Sequence, residues 1–137
     1  GIRDLVRSRG LGDVYKRQVM NDIIDSETNL FYASEVFHDF TINFPGKVRN
    51  LGSTALQACL TTDNARNRTI GFVGRSHVWD WAGAIPIVQK AGGKIRYLEK
   101  GKVSLLDSMR KNYELPDYCL VYNHDDFETM RCMFTRK

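Results

Sequence analysis

The residues best suited to chemistry in this 137-residue chain lie in His77-Val78-Trp79-Asp80-Trp81-Ala82-Gly83-Ala84 and in the Gln89-Lys90-Ala91-Gly92-Gly93 run that follows. Trp81, Ala84, Ile85 and Val88 recur at helical spacing, which predicts one helix from Asp80 to Ala91, with Asp80 capping its start and the glycine pair stopping it. A carboxylate at that position accepts backbone N–H groups. It also has the means to turn a hard oxygen ligand toward a cation beside the helix terminus. Gly52-Ser53-Thr54 stands at a second predicted helix start. Its small side chains and free backbone N–H groups suit an anionic or polyhydroxylated ligand, with an ordinary N-cap as the purely structural alternative. Arg75, five residues before Asp80, is either a phosphate contact or a solvated loop side chain.

Trp79-Asp80 with Ala82-Gly83-Ala84 and Ala91-Gly92-Gly93 resembles the C-terminal signature of the inositol monophosphatase family of magnesium-dependent, lithium-sensitive sugar phosphatases. Upstream, Val48-Arg49-Asn50-Leu51-Gly52-Ser53-Thr54-Ala55-Leu56 resembles the same family's strand-to-helix segment, at the expected distance. The resemblance runs from about Phe31 to the end of the chain and covers the second half of a family member. It implies the C-terminal half of an αβαβα sugar-phosphatase fold, with Asp80 as a Mg2+ ligand and Gly52, Ser53 and Thr54 lining the substrate pocket. It further implies a small-molecule phosphate ester as partner, and a homodimer as a common assembly.

The departures from the family pattern matter as much. Several carboxylates must converge on the metals of such an enzyme, and one aspartate does not suffice. The family draws the others from its N-terminal half, from an acidic pair and an Asp-x-x-Asp-Gly-Thr loop. Asp22-Ile23-Ile24-Asp25-Ser26-Glu27-Thr28-Asn29 is superficially similar to that loop, but Ser26 replaces the glycine, Glu27 replaces the threonine, and Gly52 follows too soon. A polar linker into the strand at Leu30 is the better description. Phe72-Val73-Gly74-Arg75 carries no acid where the family grips a substrate hydroxyl, which leaves room for another sugar or alcohol phosphate, with Arg75 as a phosphate contact. The expectation is the substrate-side portion of a phosphomonoesterase, inactive alone. The alternative is a non-catalytic sugar-phosphate-binding module.

Composition narrows the classes further. Apolar residues make up 42% and charged residues 26%, as expected of one soluble domain with a modest core. The longest apolar run, Trp81 to Val88, is broken by glycine and proline and is far shorter than the ~20 residues of a spanning helix. No membrane association and no signal peptide are expected. Cys59, Cys119 and Cys132 are odd in number and lack metal-binding or redox spacing, which reads as reduced core thiols in a cytoplasmic protein. Residues 1–18 hold five basic and two acidic side chains, so three of the four net positive charges sit there. The remainder is nearly neutral, and nucleic acid is not an expected partner. That stretch has no sustained period and is broken by Gly10 and Gly12. It reads as a disordered tail resembling a translated sequencing-adapter remnant, leaving 19–137 as the partial domain.

Strands are predicted at Leu30–Ala33, Val48–Leu51, Thr69–Val73, Lys94–Leu98 and Tyr118–Tyr122. A brief helical or irregular piece runs through Phe37 and Phe40, and a helix ending near Thr62 carries Ala55, Leu56, Cys59 and Leu60 on one face. Asp63–Arg68 reads as a polar loop. Asp125 and Asp126 open a last helix carrying Phe127, Met130 and Phe134, with Arg136 and Lys137 at its end. Glu99–Asp117 reads as loop with a partial element around Val103–Met109. His38 and His124 read as surface or capping residues. Alternating strands and helices predict a mixed α/β layer structure, a sheet of about four or five strands covered by helices. Pro86 conflicts with a continuous helix: inside one it costs about 3 kcal/mol, so the helix bends or has a distinct first turn.

Overall fold

The structure, a computed structural model, describes residues 23–62 and 68–137. The expected tail at 1–18, Asp22 and most of the expected Asp63–Arg68 loop lie outside the described residues. Along the chain run β1 (Asn29–Tyr32), α1 (Val36–Asp39), β2 (Phe40–Ile42), β3 (Lys47–Arg49), α2 (Thr54–Leu60), β4 (Thr69–Gly74), α3 (Val78–Trp81) and α4 (Ala84–Lys90). They continue with β5 (Lys94–Tyr97), β6 (Gly101–Lys102), α5 (Leu105–Met109), β7 (Cys119–Tyr122), α6 (Phe127–Arg131) and β8 (Phe134–Arg136).

Strands that read as continuous apolar runs take the middle of the main sheet, where both faces are covered. Every residue of β4 and of β7 is buried. The main sheet has six strands, in the order β3-β1-β4-β7-β5-β6, and β2 pairs with β8 in a separate antiparallel ribbon. β1 is parallel to both β3 and β4. β7 runs antiparallel to β4 and to β5, so β5 points the same way as β4. The sixth strand, two-residue β6, forms where Gly101 takes a positive φ of 82° and folds the chain back on β5.

Two apolar clusters cover the two faces. One gathers Phe31, Phe72 and Val121 of the sheet under Ala58, Trp81, Ile85 and Val88 from α2, α3 and α4. The other gathers Leu30, Ile70, Val73 and Leu120 under Val36, Phe40, Met130 and Phe134 from α1, α6 and the ribbon. The fold is therefore a three-layer α/β arrangement with a mixed sheet in the middle.

Four local expectations change. The helix expected from Asp80 to Ala91 is two helices, α3 and α4, separated at Ala82-Gly83. The break places Pro86 third in α4, in the first turn, where a backbone N–H has no intrahelical acceptor and its loss costs little. α2 turns Gln57 and Ala58 inward, while Leu56 is exposed. Gln57 is inside because its Oε1 accepts the Leu51 N–H at 2.6 Å, a backbone group left without a strand partner at the turn into α2. The last helix stops at Arg131, and Phe134, with Arg136 beyond it, belongs to β8. The pairing with β2 gives those backbone groups partners and keeps Phe134 buried. Finally, Cys119 is buried and Cys59 half-buried, but Cys132 is exposed and is no core thiol. It caps α6 on that helix's solvent side, while Met130 takes the inward position.

Candidate functional site at the carboxyl ends of the parallel strands

Because β3, β1 and β4 are parallel, their carboxyl ends share one edge of the sheet, the place where open α/β sheets bind ligands. That edge receives Asn50–Ser53 after β3, Ala33–Glu35 after β1 and Arg75–His77 after β4. β7 starts at the same edge, with Cys119 opposite Gly74, and brings Glu114 to Tyr118 alongside. A cleft of about 380 Å3 opens there, lined by Glu35, Arg75, Ser76, His77, Glu114 and Tyr118.

Gly52 has a φ of 76°, in the left-handed region, with open space where a side chain would stand. Glycine is needed here for the backbone turn, and close packing plays no part. Asn50 ties the turn in place, its Oδ1 accepting the Gly52 N–H at 2.8 Å while its Nδ2 donates to Ser34 Oγ at 2.9 Å beyond the end of β1. Ser53 is the N-cap of α2, and its Oγ accepts the Leu56 N–H at 3.3 Å. Thr54 opens the helix, half-buried.

Arg75 is exposed at the cleft, where its Nε donates to the Leu115 carbonyl at 3.1 Å. Two backbone bonds, Leu115 N–H to Ser76 at 3.0 Å and Val78 N–H to Tyr113 at 2.8 Å, lace this segment to the 113–115 strand-like stretch. His77 Nε2 lies 3.6 Å from Glu114 Oε1, and the imidazole stacks flat on Trp79 at 4.4 Å. The Tyr118 hydroxyl lies 2.8 Å from an Asp39 carboxylate oxygen and 2.9 Å from the Glu35 carbonyl, two acceptors for one proton. Burial, and then the bond to Asp39, push its pKa up to about 12.

Asp80 is the third residue of α3, and His77 occupies the N-cap position that the sequence suggested for it. One carboxylate oxygen reaches back to accept the His77 N–H at 3.2 Å, the acid's half of a capping box. No further hydrogen bond to this half-buried carboxylate occurs among the described residues, which leaves its other oxygen open to a ligand. Trp81 anchors the segment. It is fully buried, stacks on Phe72 with centroids 5.4 Å apart, and its indole N–H donates to Ser76 Oγ at 3.0 Å.

These residues do not by themselves make a magnesium site. Among the described residues no three His, Cys, Asp or Glu side chains come together as a metal would require, and Asp80 supplies a single oxygen. Asp25 is already engaged by Arg68 at 2.9 Å and by the Glu27 N–H at 2.9 Å. His124 precedes α6, its Nδ1 accepting the N–H of the N-cap Asp126 at 3.0 Å, and His38 is exposed.

Of the residues singled out from the sequence, Arg75 lines the cleft, and α2, which carries Thr54 after Gly52 and Ser53, packs against α3, which carries Asp80. Gly52, Ser53, Thr54 and Asp80 lie at the same sheet edge but outside the cleft lining. Glu35, Glu114 and Tyr118 went unnoticed in the sequence. Glu35 and Glu114 sit in segments without periodicity, Tyr118 read only as the first residue of a strand, and the pairing of β7 with β4 brings Glu114 and Tyr118 to the edge.

No family model and no curated protein matches the sequence. Solved structures do match. The extragenic suppressor protein SuhB from Bartonella henselae superposes with a TM-score of 0.55 at 23% identity, over 84% of this chain and 43% of that one. An IMPase/NADP phosphatase complexed with Mg2+ and phosphate superposes with a TM-score of 0.57 at 10% identity, over 85% of this chain and 42% of that one. The chain thus spans less than half the length of the proteins it matches. With its mixed sheet flanked by helices, it has an inositol-monophosphatase-like fold over that part.

Proposed function

We propose that this chain is the C-terminal, substrate-side portion of a magnesium-dependent phosphomonoesterase acting on an inositol phosphate or a related sugar or alcohol phosphate, and that it is inactive alone. The observation that carries this reading is the convergence of three parallel strand ends on one edge, within a fold shared with a phosphatase that holds Mg2+ and phosphate. There the α2 start presents backbone N–H groups beside Ser53 and Thr54, and Arg75 offers a guanidinium for a phosphate. Asp80 contributes one open oxygen toward a cation whose other ligands come from a part of the protein beyond the described residues.

A second feature supports the reading as a part of something larger. Leu56, Trp79, Ile87, Leu106 and Met109 are exposed on the helices α2 to α5 that already cover the sheet with their other faces. Helices apolar on both faces belong inside a layered structure. In the whole protein this outer face meets the rest of the fold. The reduced thiols point to the cytoplasm, and a homodimer is the proposed assembly.

A phosphatase assay with Mg2+ on the purified 137-residue chain is expected to detect no turnover. Turnover that Asp80→Ala abolishes would overturn the incomplete-site reading. Calorimetry separates it from a non-catalytic sugar-phosphate-binding module. Sugar-phosphate binding strengthened by Mg2+ and dependent on Asp80 supports the phosphatase reading, and metal-independent binding supports the module. No helix among the described residues is long and apolar enough to cross a membrane.

A further inference from the structure

We infer a second oxyanion site, distinct from the strand-end cleft, between β5 and α6 on the face of the sheet that α6 covers. A cavity of about 430 Å3 lies there, lined among others by Arg96, Glu99, Phe127, Glu128 and Arg131. Arg96 is half-buried beneath α6, with its guanidinium carbon 4.1 Å from the centre of the Phe127 ring. Its Nε is shut off from solvent and has no hydrogen-bond partner. No ion pair to Arg96 occurs among the described residues. A guanidinium carries five N–H donors that a protein interior rarely leaves unmatched, and a buried donor without an acceptor is destabilising.

The charges around Arg96 sharpen the point. Lys102 of β6 stands directly opposite Arg96 in the antiparallel register, so both side chains project on one face, where like charges repel. Arg131 is the second cation of the lining and spends one donor on the Phe134 carbonyl at 3.1 Å. Of the two acids in the lining, Glu99 is held by Arg136, which leaves Glu128 beside Arg96 and Arg131. An anion is what this group lacks. A phosphate group matches it best, because one edge of a guanidinium donates two parallel bonds to two of its oxygens. The cavity has room for a small phosphate monoester as well as for the free ion.

The test is a titration of inorganic phosphate into the 15N-labelled 137-residue chain at constant ionic strength, followed by NMR. The Arg96 Nε–H resonance and the amides of 96–101 and 127–132 are expected to shift saturably. Arg96→Gln should abolish these shifts, and Arg131→Gln should weaken binding about tenfold, the worth of one charge-assisted hydrogen bond. Asp80→Asn and Arg75→Gln should leave them intact. Should Arg96→Gln fail to fold, Arg131→Gln carries the test, since Arg131 lies in the last turn of α6 and is only partly buried. Unchanged affinity in the Arg131→Gln protein, or no shift at Arg96, overturns the site. Shifts that disappear with Arg75→Gln alone belong to the strand-end cleft and also overturn it, while leaving the proposed function standing.

Discussion

Trp81 is the residue on which the geometry of the Arg75–Asp80 segment depends, and a double-mutant cycle with Ser76 measures how strongly. Trp81→Phe keeps a ring against Phe72 but deletes the indole N–H that reaches Ser76 Oγ at 3.0 Å, and it empties part of a fully buried site. The lost hydrogen bond is worth about 1 kcal/mol and the smaller ring a further ~1–2 kcal/mol in transfer and cavity terms. The sum is a destabilisation of about 2–3 kcal/mol. Ser76→Ala removes the same bond from the other side and leaves the indole N–H unpaired inside the core, at a cost of about 1–2 kcal/mol. Because one bond is lost in either variant, the double variant should fall short of additivity by about 1 kcal/mol. Urea denaturation of the four proteins, with unchanged dependence on denaturant, reads these values directly. Additivity within about 0.3 kcal/mol would show that the bond contributes nothing, and the anchoring argument would fail.

Gly52→Ala meets no steric obstacle but must hold a φ of 76°, so a loss of about 1 kcal/mol is expected in urea denaturation, and a neutral result would mean that the turn has relaxed. Tyr118 has its pKa raised to about 12, above its unfolded value near 10. Its contribution is therefore complete below about pH 10 and is lost as pH rises toward 12, since the folded state there holds the proton more tightly. Denaturation curves between those values should show a falling limb that flattens in Tyr118→Phe, and equal slopes would contradict the bond to Asp39. Ile87→Lys with Leu106→Lys should reduce concentration-dependent association of the isolated chain in sedimentation velocity, with a change of at most about 0.5 kcal/mol in stability. A monomer at every concentration in the unaltered chain would argue against an interior role for that face.

Local chemistry along the chain was enough to place most elements. The apolar runs at Thr69–Val73 and Tyr118–Tyr122 became the two central strands, and Ser53 capped α2 where its hydroxyl and the following apolar residues required. Pro86 was informative as a conflict, since its missing N–H is tolerated in a first turn and nowhere deeper, and the helix is split accordingly. The Trp-Asp and Gly-Ser-Thr segments pointed to the inositol-monophosphatase-like fold through their resemblance to that family. Three things were decided in space. Leu56 lost its inward place to Gln57 because an unpaired N–H in the preceding turn needed an acceptor, a demand invisible to helical periodicity. Phe134 left the last helix because β2, nearly a hundred residues earlier, offered its strand a partner. The cleft itself joins Glu35 after β1, Arg75 after β4 and Tyr118 before β7, residues whose nearness rests on strand order and direction alone. Backbone preferences act over a few residues and are written into the local sequence, whereas a site made of strand ends exists only once the sheet has chosen which strands lie side by side.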